Sequence, residues 1–445
     1  MSAKTLSNSG VLFDERRDFY IKPDYVAELW PSVTPFTTML LTKGARKVKD
    51  PDYKLFEHRA GFIKQEFQVN GITAAYDAWT PGDSATLTAI DNLTGFGTLT
   101  AANASMIGLI CEVWDESKTT YKGISYISNV SGATVILTSM GNPRSTTNVH
   151  AALADNDYFV VIGNAQGEGT ESPEAYSDEL EVVYNSTQIF KTPMEITGTL
   201  YESALRGYSN ELARLREDKQ KTHKFQIEKA LLLGVRSYGT GMTDLASDNA
   251  TWTDAFATHI SDVNSKTLRT TMGIIPALYR YGTASGDYKN IFNITAASYN
   301  WSNYVEDTEK IFQYVPTTGR KVAYCGQGAL SYWSKMSGSD GFVKKSGWTV
   351  QLSKSEMTGI GFAVRTLETP HGVIDLVYAP QLRGQYNNTM VVMDESNVEL
   401  CEYRPMKFQA NIKTDNGYDG VKDQYFYDAG LGITLIESHS LWNIV

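Results

Sequence analysis

The sequence predicts an α+β protein made of several structural units, and three patterns carry that expectation. Residues 209 to 233 read as one long helix without internal Gly or Pro, capped by Ser209 and stopped by Gly234. Just before it, Gln188 to Thr197 alternates as a half-buried strand does, with Phe190, Met194 and Ile196 on one parity and Lys191, Glu195 and Thr197 on the other. Two regions, 73 to 165 and 361 onward, are series of short strand signals separated by turn residues. A chain of 445 residues with 42% hydrophobic content has room for two to four such units.

Taken in order, residues 1 to 50 read as an arm. Pro23, Pro31 and Pro35 argue against long regular elements, while Tyr20, Tyr25, Trp30 and Phe36 supply apolar anchors that need a surface to lie on. Eight Lys/Arg against six Asp/Glu make this stretch only mildly basic, too even-handed for a nucleic-acid tail.

Residues 51 to 72 then alternate, Ile63, Phe67 and Val69 opposing Lys64, Glu66 and Gln68; Leu180, Val182 and Tyr184 repeat the pattern. The spacing suggests that 51 to 72 and 166 to 187 are two sides of one long hairpin. What lies between is too long for a loop. It has strand signals at Leu109 to Trp114, Tyr121 to Val130, Thr134 to Met140 and Asp157 to Ile162, so 73 to 165 reads as a small inserted β domain, with three Lys/Arg against eight Asp/Glu. An isolated hairpin is marginal in water, so Phe56, Phe62 and Phe67 need a partner surface, in this chain or in a neighbour.

The long helix is apolar at its ends (Tyr208, Leu212, Leu215; Phe225, Ile227, Leu231, Leu232) and charged from Arg216 to Lys224. Two readings fit: a solvent-facing helix, or a strut of roughly 37 Å whose middle, with Arg216 and Lys219, meets a neighbouring subunit. Beyond it, Asp254 to His259, Ser265 to Tyr281, Ser298 to Phe312 and Gly328 to Met336 have helical content, with Lys321 to Cys325 a short strand. The rest is mainly β: Phe362 to Thr366, Gly372 to Tyr378, Thr389 to Met393, Val398 to Tyr403 and Gly430 to Glu437.

Charge and motifs exclude several functions. A formal net charge of -10 offers no global attraction to nucleic acid or anionic membrane. Cys111, Cys325 and Cys401 are odd in number and far apart, as reduced thiols rather than a disulfide framework; the polar start suggests no signal peptide, and no apolar run is long enough for a membrane span. The Asn185-Ser-Thr and Asn300-Trp-Ser triplets are read as chance. The six histidines show no ligand spacing, and Cys-x-x-Cys, Gly-x-Ser-x-Gly and Gly-Lys-Ser/Thr motifs are absent. Gly326-Gln-Gly328 and Asp415 to Gly420 read as turns, the latter because Phe426 stands where a calcium loop needs an acid. Acid pairs such as Asp155/Asp157, with 26 Tyr and 8 Trp, are all that suggests a polysaccharide-acting enzyme.

Several stretches resemble one family. Pro23-Asp-Tyr-Val-Ala-Glu-Leu-Trp-Pro-Ser-Val-Thr-Pro-Phe36 leading to Asp50-Pro-Asp-Tyr-Lys-Leu-Phe-Glu57, Tyr184-Asn-Ser-Thr-Gln-Ile-Phe190, Ile196-Thr-Gly198 and Glu228-Lys-Ala-Leu-Leu232 resemble the major capsid proteins of tailed bacteriophages with the Hong Kong 97 fold. Leu367 to Pro380, Met393-Asp-Glu-Ser-Asn397 and Leu400 to Pro405 add its late β segments.

The resemblance implies an N-terminal arm (1–50), an E-loop hairpin (51–72 and 166–187), and a peripheral domain (188–235 and 400–445) carrying the spine helix 209–233. It also implies an axial domain (236–399), and 73–165 is then an insertion that a minimal member lacks. By the same resemblance the function is self-assembly into an icosahedral or prolate head enclosing double-stranded DNA without specific binding, in the host bacterial cytoplasm. The partners implied are copies of the chain in hexamers and pentamers, a separate scaffolding protein, a portal and decoration proteins; no catalysis, metal, cofactor or membrane is expected. Trp30, Phe36, Phe56, Phe62, Phe67, Arg216 and Lys219 are the candidate inter-subunit contacts. A tail or adhesion protein is the alternative, and a polysaccharide-acting enzyme the remote one.

Overall fold

Pro35 opens the first described helix rather than blocking one. In the computed structural model, which describes residues 34–58, 65–70, 79–94, 99, 101–172, 174–175, 180–202, 211–237, 260–261, 267–284, 289–313, 319–338, 356–357, 363–412 and 419–445, helix α1 (Pro35–Lys43) begins with Pro at its first position. There the missing N–H costs nothing and the fixed φ is already helical. The expectation of no long regular element in 1 to 50 leaves room for this helix of nine residues, which buries Phe36, Met39 and Leu40 in its own chain. Strands β1 (Ala45–Lys47) and β2 (Asp52–Glu57) follow.

The chain divides into two compact units, Met1–Glu57 with Val182–Val445, and His58–Glu181. The smaller unit holds β3 (Glu66–Asn70), β4 (Ser84–Leu87), β5 (Ala89–Thr94), β6 (Leu109–Trp114), β7 (Tyr121–Ser131), β8 (Thr134–Gly141) and β9 (Tyr158–Asn164). They form one antiparallel sheet in the order β4-β8-β7-β6-β9-β3-β5. Inward residues Phe67, Val69, Leu87, Cys111, Val113, Ile127, Leu137 and Phe159 make its core. The hairpin expectation differs here: β3 pairs with β5 and β9, because Phe67 and Val69 have the parity that fills this interior. Alternation fixes which side chains share a face, not which sheet they join.

Back in the larger unit, β10 (Glu181–Ser186) pairs with β2, and β11 (Gln188–Thr197) runs into α2 (Gly198–Glu202) and the long α3 (Glu211–Leu233). The Gly234 stop has a steric cause: a Cβ there would lie 2.4 Å from the Ala230 carbonyl oxygen and 2.6 Å from that of Thr271. After the short ladder β12 (Ile260–Ser261) and β13 (Thr267–Leu268), α4 is only Ile274–Tyr281. It is shorter than the expected Ser265 to Tyr281 because Thr270–Gly273 is extended, bonding back to Ser237 and Gly234. The helix expected at Asp254 to His259 lies outside the described residues.

Next come β14 (Ile291–Ile294), α5 (Trp301–Phe312), β15 (Arg320–Cys325), α6 (Gln327–Gly338), β16 (Glu356–Met357), β17 (Ala363–Glu368), β18 (Val373–Tyr378), β19 (Thr389–Met393), β20 (Val398–Gln409), β21 (Gly420–Ile433) and β22 (Ser440–Ile444). Two sheets result, a four-stranded β1-β20-β21-β11 and a mixed seven-stranded β14-β22-β19-β15-β18-β17-β16. The C-terminal residues 400–445 therefore do not stay on one sheet. At Leu435, with φ of 49°, the chain turns and delivers β22 between β14 and β19. Trp442 of β22 is fully buried against Phe292, Tyr304 and Trp333. Lys321 is buried too, its ammonium donating to the Ile311 and Ser438 carbonyls at 2.9 and 2.7 Å, and burial lowers its pKa to about 8.

Candidate functional site

The four-stranded sheet has one closed face and one open face, and the alternation of β11 assigns each residue. Phe190, Thr192, Met194 and Ile196 are buried on the side where α3 packs. Ile189, Lys191 and Pro193 point the other way and are exposed.

On the closed side the charged middle of α3 is engaged within the chain. Arg216 donates through Nε and Nη2 to Asp423 Oδ2 at 2.8 and 2.7 Å, and Asp423 is fully buried. Arg214 pairs with Asp218 and Lys221 with Glu217, each at the one-turn spacing that suits ion pairs. His223 is buried facing Thr192 Oγ1 at 2.9 Å, and burial lowers its pKa to about 4, so it is neutral at pH 7. Arg216 is thus tied to a buried carboxylate 207 residues away in its own chain, with 36% of its side chain still exposed. Lys219 stays half-exposed on the same helix.

The open side carries three aligned rows. Lys191, Phe426 and Lys407 sit opposite one another across β11, β21 and β20; Pro193, Gln424 and Gln409 form the next row, and Ile189, Asp428 and Arg404 the one before. Together Lys191, Arg404, Lys407, Gln409, Gln424 and Phe426 line a groove of about 320 Å³. Arg404 bonds the buried Asp428 at 2.8 and 2.9 Å and lies over the Phe426 ring at 4.4 Å; Lys422 pairs with Glu195. Lys191 and Lys407 have no carboxylate partner among the described residues, so the groove keeps an excess of positive charge. Adjacent strands lie about 4.8 Å apart, which puts these two lysines roughly 10 Å apart at the backbone.

The other candidates divide. Phe36 is fully buried, edge-on to Tyr324 at 5.3 Å, and Phe67 is fully buried, stacked on Phe159 at 5.1 Å. Both are corrected to core residues, since a ring already enclosed by its own chain offers no surface to a neighbour. Phe56 is 68% exposed on β2. Trp30 and Phe62 lie outside the described residues. So does the turn 415–418, while Asp157 is not solvated surface: it is buried, bonding Lys122 Nζ at 2.7 and 2.8 Å and the Ala154 N–H. Among the described residues no group of three or more His, Cys, Asp or Glu is placed to hold a metal, and no helix is long and apolar enough to cross a membrane.

Sequence reasoning missed Asn185, read only as a chance sequon. It is buried near the end of β10, donating to the Met272 and Leu431 carbonyls at 3.1 and 2.7 Å and accepting from the Met272 and Ser186 N–H groups at 2.9 and 2.8 Å.

A long helix laid on one side of a sheet whose other side is open and charged defines a protein that works through surfaces. The family model described as SU10 major capsid protein matches residues 22–439, and the chain belongs to that family. A major capsid protein of Pseudomonas phage PaMx41 is 28% identical over 189 residues, a stretch covering 40% of this chain and 40% of that protein's length. Among solved structures, the capsid of Myoviridae phage XM1 is similar at TM-score 0.43 and 8% identity, covering 97% of this chain and 98% of that one. The capsid of a native GTA particle is similar at TM-score 0.41 and 7% identity, covering 95% and 93%.

Proposed function

We propose that this chain is the repeated subunit of a phage head shell, assembling with copies of itself around packaged DNA. The family match over residues 22–439 carries that reading. In Hong Kong 97 terms, α3 and the four-stranded sheet serve as spine helix and peripheral domain. The seven-stranded sheet with α4 to α6 serves as axial domain, β2 with β10 as the base of the E-loop, and the smaller unit as an insertion in it. The arm role falls to residues ahead of Thr34. Scaffolding, portal and decoration proteins, hexamers and pentamers, and assembly in the host cytoplasm belong to the same proposal. DNA is enclosed without specific recognition, because a lining that gripped phosphates would resist packaging and release.

Charge supports a division of labour between the units. The smaller unit, 58–181, contains five Lys/Arg and fifteen Asp/Glu, a net of -10 that equals the net charge of the whole chain, so the rest is neutral overall. No Lys or Arg occurs between Arg144 and Lys191. In a shell the basic groove of one copy therefore receives the acidic unit of the next. Spreading adhesion over many moderate contacts of this kind lets misplaced subunits leave and rebind.

The test is assembly of purified protein, followed by sedimentation and electron microscopy. Wild type is expected to form closed particles, with a scaffolding protein if one is needed. Lys191→Glu combined with Lys407→Glu should raise the concentration needed for assembly by about tenfold or more, equivalent to about 1.4 kcal/mol per contact. Its melting temperature should stay within error of wild type, because both side chains are exposed. Unchanged assembly of the double variant would remove the groove from the contact, and a wild-type chain that never forms particles would remove the shell.

A further inference from the structure

The smaller unit has an outward sheet face unlike the rest of its surface. Tyr121, Trp114 and Tyr158 align across β7, β6 and β9; below them run Ile124, Glu112, Val160 and Glu66, then Thr138, Tyr126 and Ile110. All are half-buried, as side chains standing side by side on a sheet are, and Ile162 and Met140 at its margins are 54% and 48% exposed. Arg144 lies over Tyr121 and Trp114 at 3.9 and 5.2 Å, and Lys118 over Tyr158 at 4.1 Å. Trp, Tyr and Arg are the residue types that carry most of the binding energy in protein interfaces.

The charge on this face is balanced. Lys118 pairs with Glu66 at 3.2 Å and Arg144 with Glu112 at 3.9 Å, so two of the unit's five bases neutralise the two acids here. Elsewhere acids dominate. A cationic partner would be drawn to those acidic surfaces and would gain nothing from a neutral one. A partner carrying the same negative charge can approach only where the charge cancels, and the aromatic rings then supply the adhesion. A second copy of this chain is that partner, and one face meeting its equal across a two-fold axis needs no second surface.

We propose that two copies meet through this aromatic face of their smaller units, in a contact distinct from the basic groove. It rests on the shell reading, which is what brings copies together. The experiment introduces Tyr126→Cys, in the middle of the third row of the face, into the full-length chain. The three native thiols, Cys111, Cys325 and Cys401, are buried, so the new one is the accessible site. Ser131→Cys, at the exposed β7–β8 turn, is the control.

Assembled particles are treated with a short bismaleimide and run on a denaturing gel. The expected result is a dimer band for Tyr126→Cys that the control lacks. Particles whose Tyr126→Cys subunits remain monomeric, or become joined to a different protein, overturn this inference and leave the shell standing. A wild-type chain that forms no particles overturns both.

Discussion

Replacing Asn185 with alanine is expected to destabilise the larger unit by about 3 to 5 kcal/mol, the largest effect of any single polar substitution considered for this chain. The carboxamide is buried and all four of its hydrogen-bonding positions are used. Two of its bonds go to Met272, just before α4, and one to Leu431 of β21, so one side chain joins the β10–β11 junction to two elements far away in sequence. Alanine leaves the Met272 carbonyl and two N–H groups to find other partners in a space closed to water, while the Leu431 carbonyl keeps the Tyr53 hydroxyl at 2.8 Å, and each buried group left unpaired costs about 1 to 3 kcal/mol. Thermal unfolding followed by tryptophan fluorescence checks this. The transition reporting Trp333 and Trp442, in the larger unit, should move down by several degrees, while that of Trp79 and Trp114, in the smaller unit, should not. A shift below that of an ordinary surface substitution would show that Asn185 is not the tie its bonds describe.

The sequence made the local pattern legible and left the partners hidden. Strand β11 occupies the residues its alternation indicated, because a period of two over ten residues has one structural meaning. The strands β6 to β9 likewise fall within a residue or two of their signals, bounded by Gly132 and Gly141. Parity cannot say which sheet a strand enters, however: β3, read as part of the 51–72 and 166–187 hairpin, pairs instead with β5 and β9. Arg216 looked like a free charge in the middle of a helix because its partner, Asp423, stands on a strand 207 residues later. The basic groove was hidden for the same reason: Lys191, Arg404 and Lys407 form a group only once β11, β21 and β20 are paired. Two signals were present and unread. Asn185 is a polar residue among buried neighbours, and Glu228 is a charged residue inside an apolar stripe, next to Ile227 and one turn before Leu231 and Leu232.

Glu228 gives the second large effect, and its sign follows from burial. Helix α1 has no side-chain cap of its own at Thr34; instead Glu228, reaching from α3, accepts the Thr37 N–H at 3.3 Å. A carboxylate at a helix N-terminus is favoured by the dipole, but this one is fully buried and its Oε1 has no hydrogen-bond partner among the described residues. Desolvation outweighs the Thr37 bond, and the pKa rises from 4.5 to about 8. Between these two values the folded chain holds a proton that the unfolded chain has released. The stability this group contributes is therefore complete below pH 4.5, falls by up to about 1.4 kcal/mol per pH unit above it, and is lost once pH passes about 8. Glu228→Gln keeps an acceptor for Thr37 and carries no ionisable proton. Its unfolding free energy should match that of wild type near pH 4.5 and exceed it increasingly toward pH 8, the gap approaching about 5 kcal/mol in denaturant titrations. A gap that stays constant across that range would mean that Glu228 is ionised in the fold, and that Thr37 and the helix dipole, not burial, decide its charge.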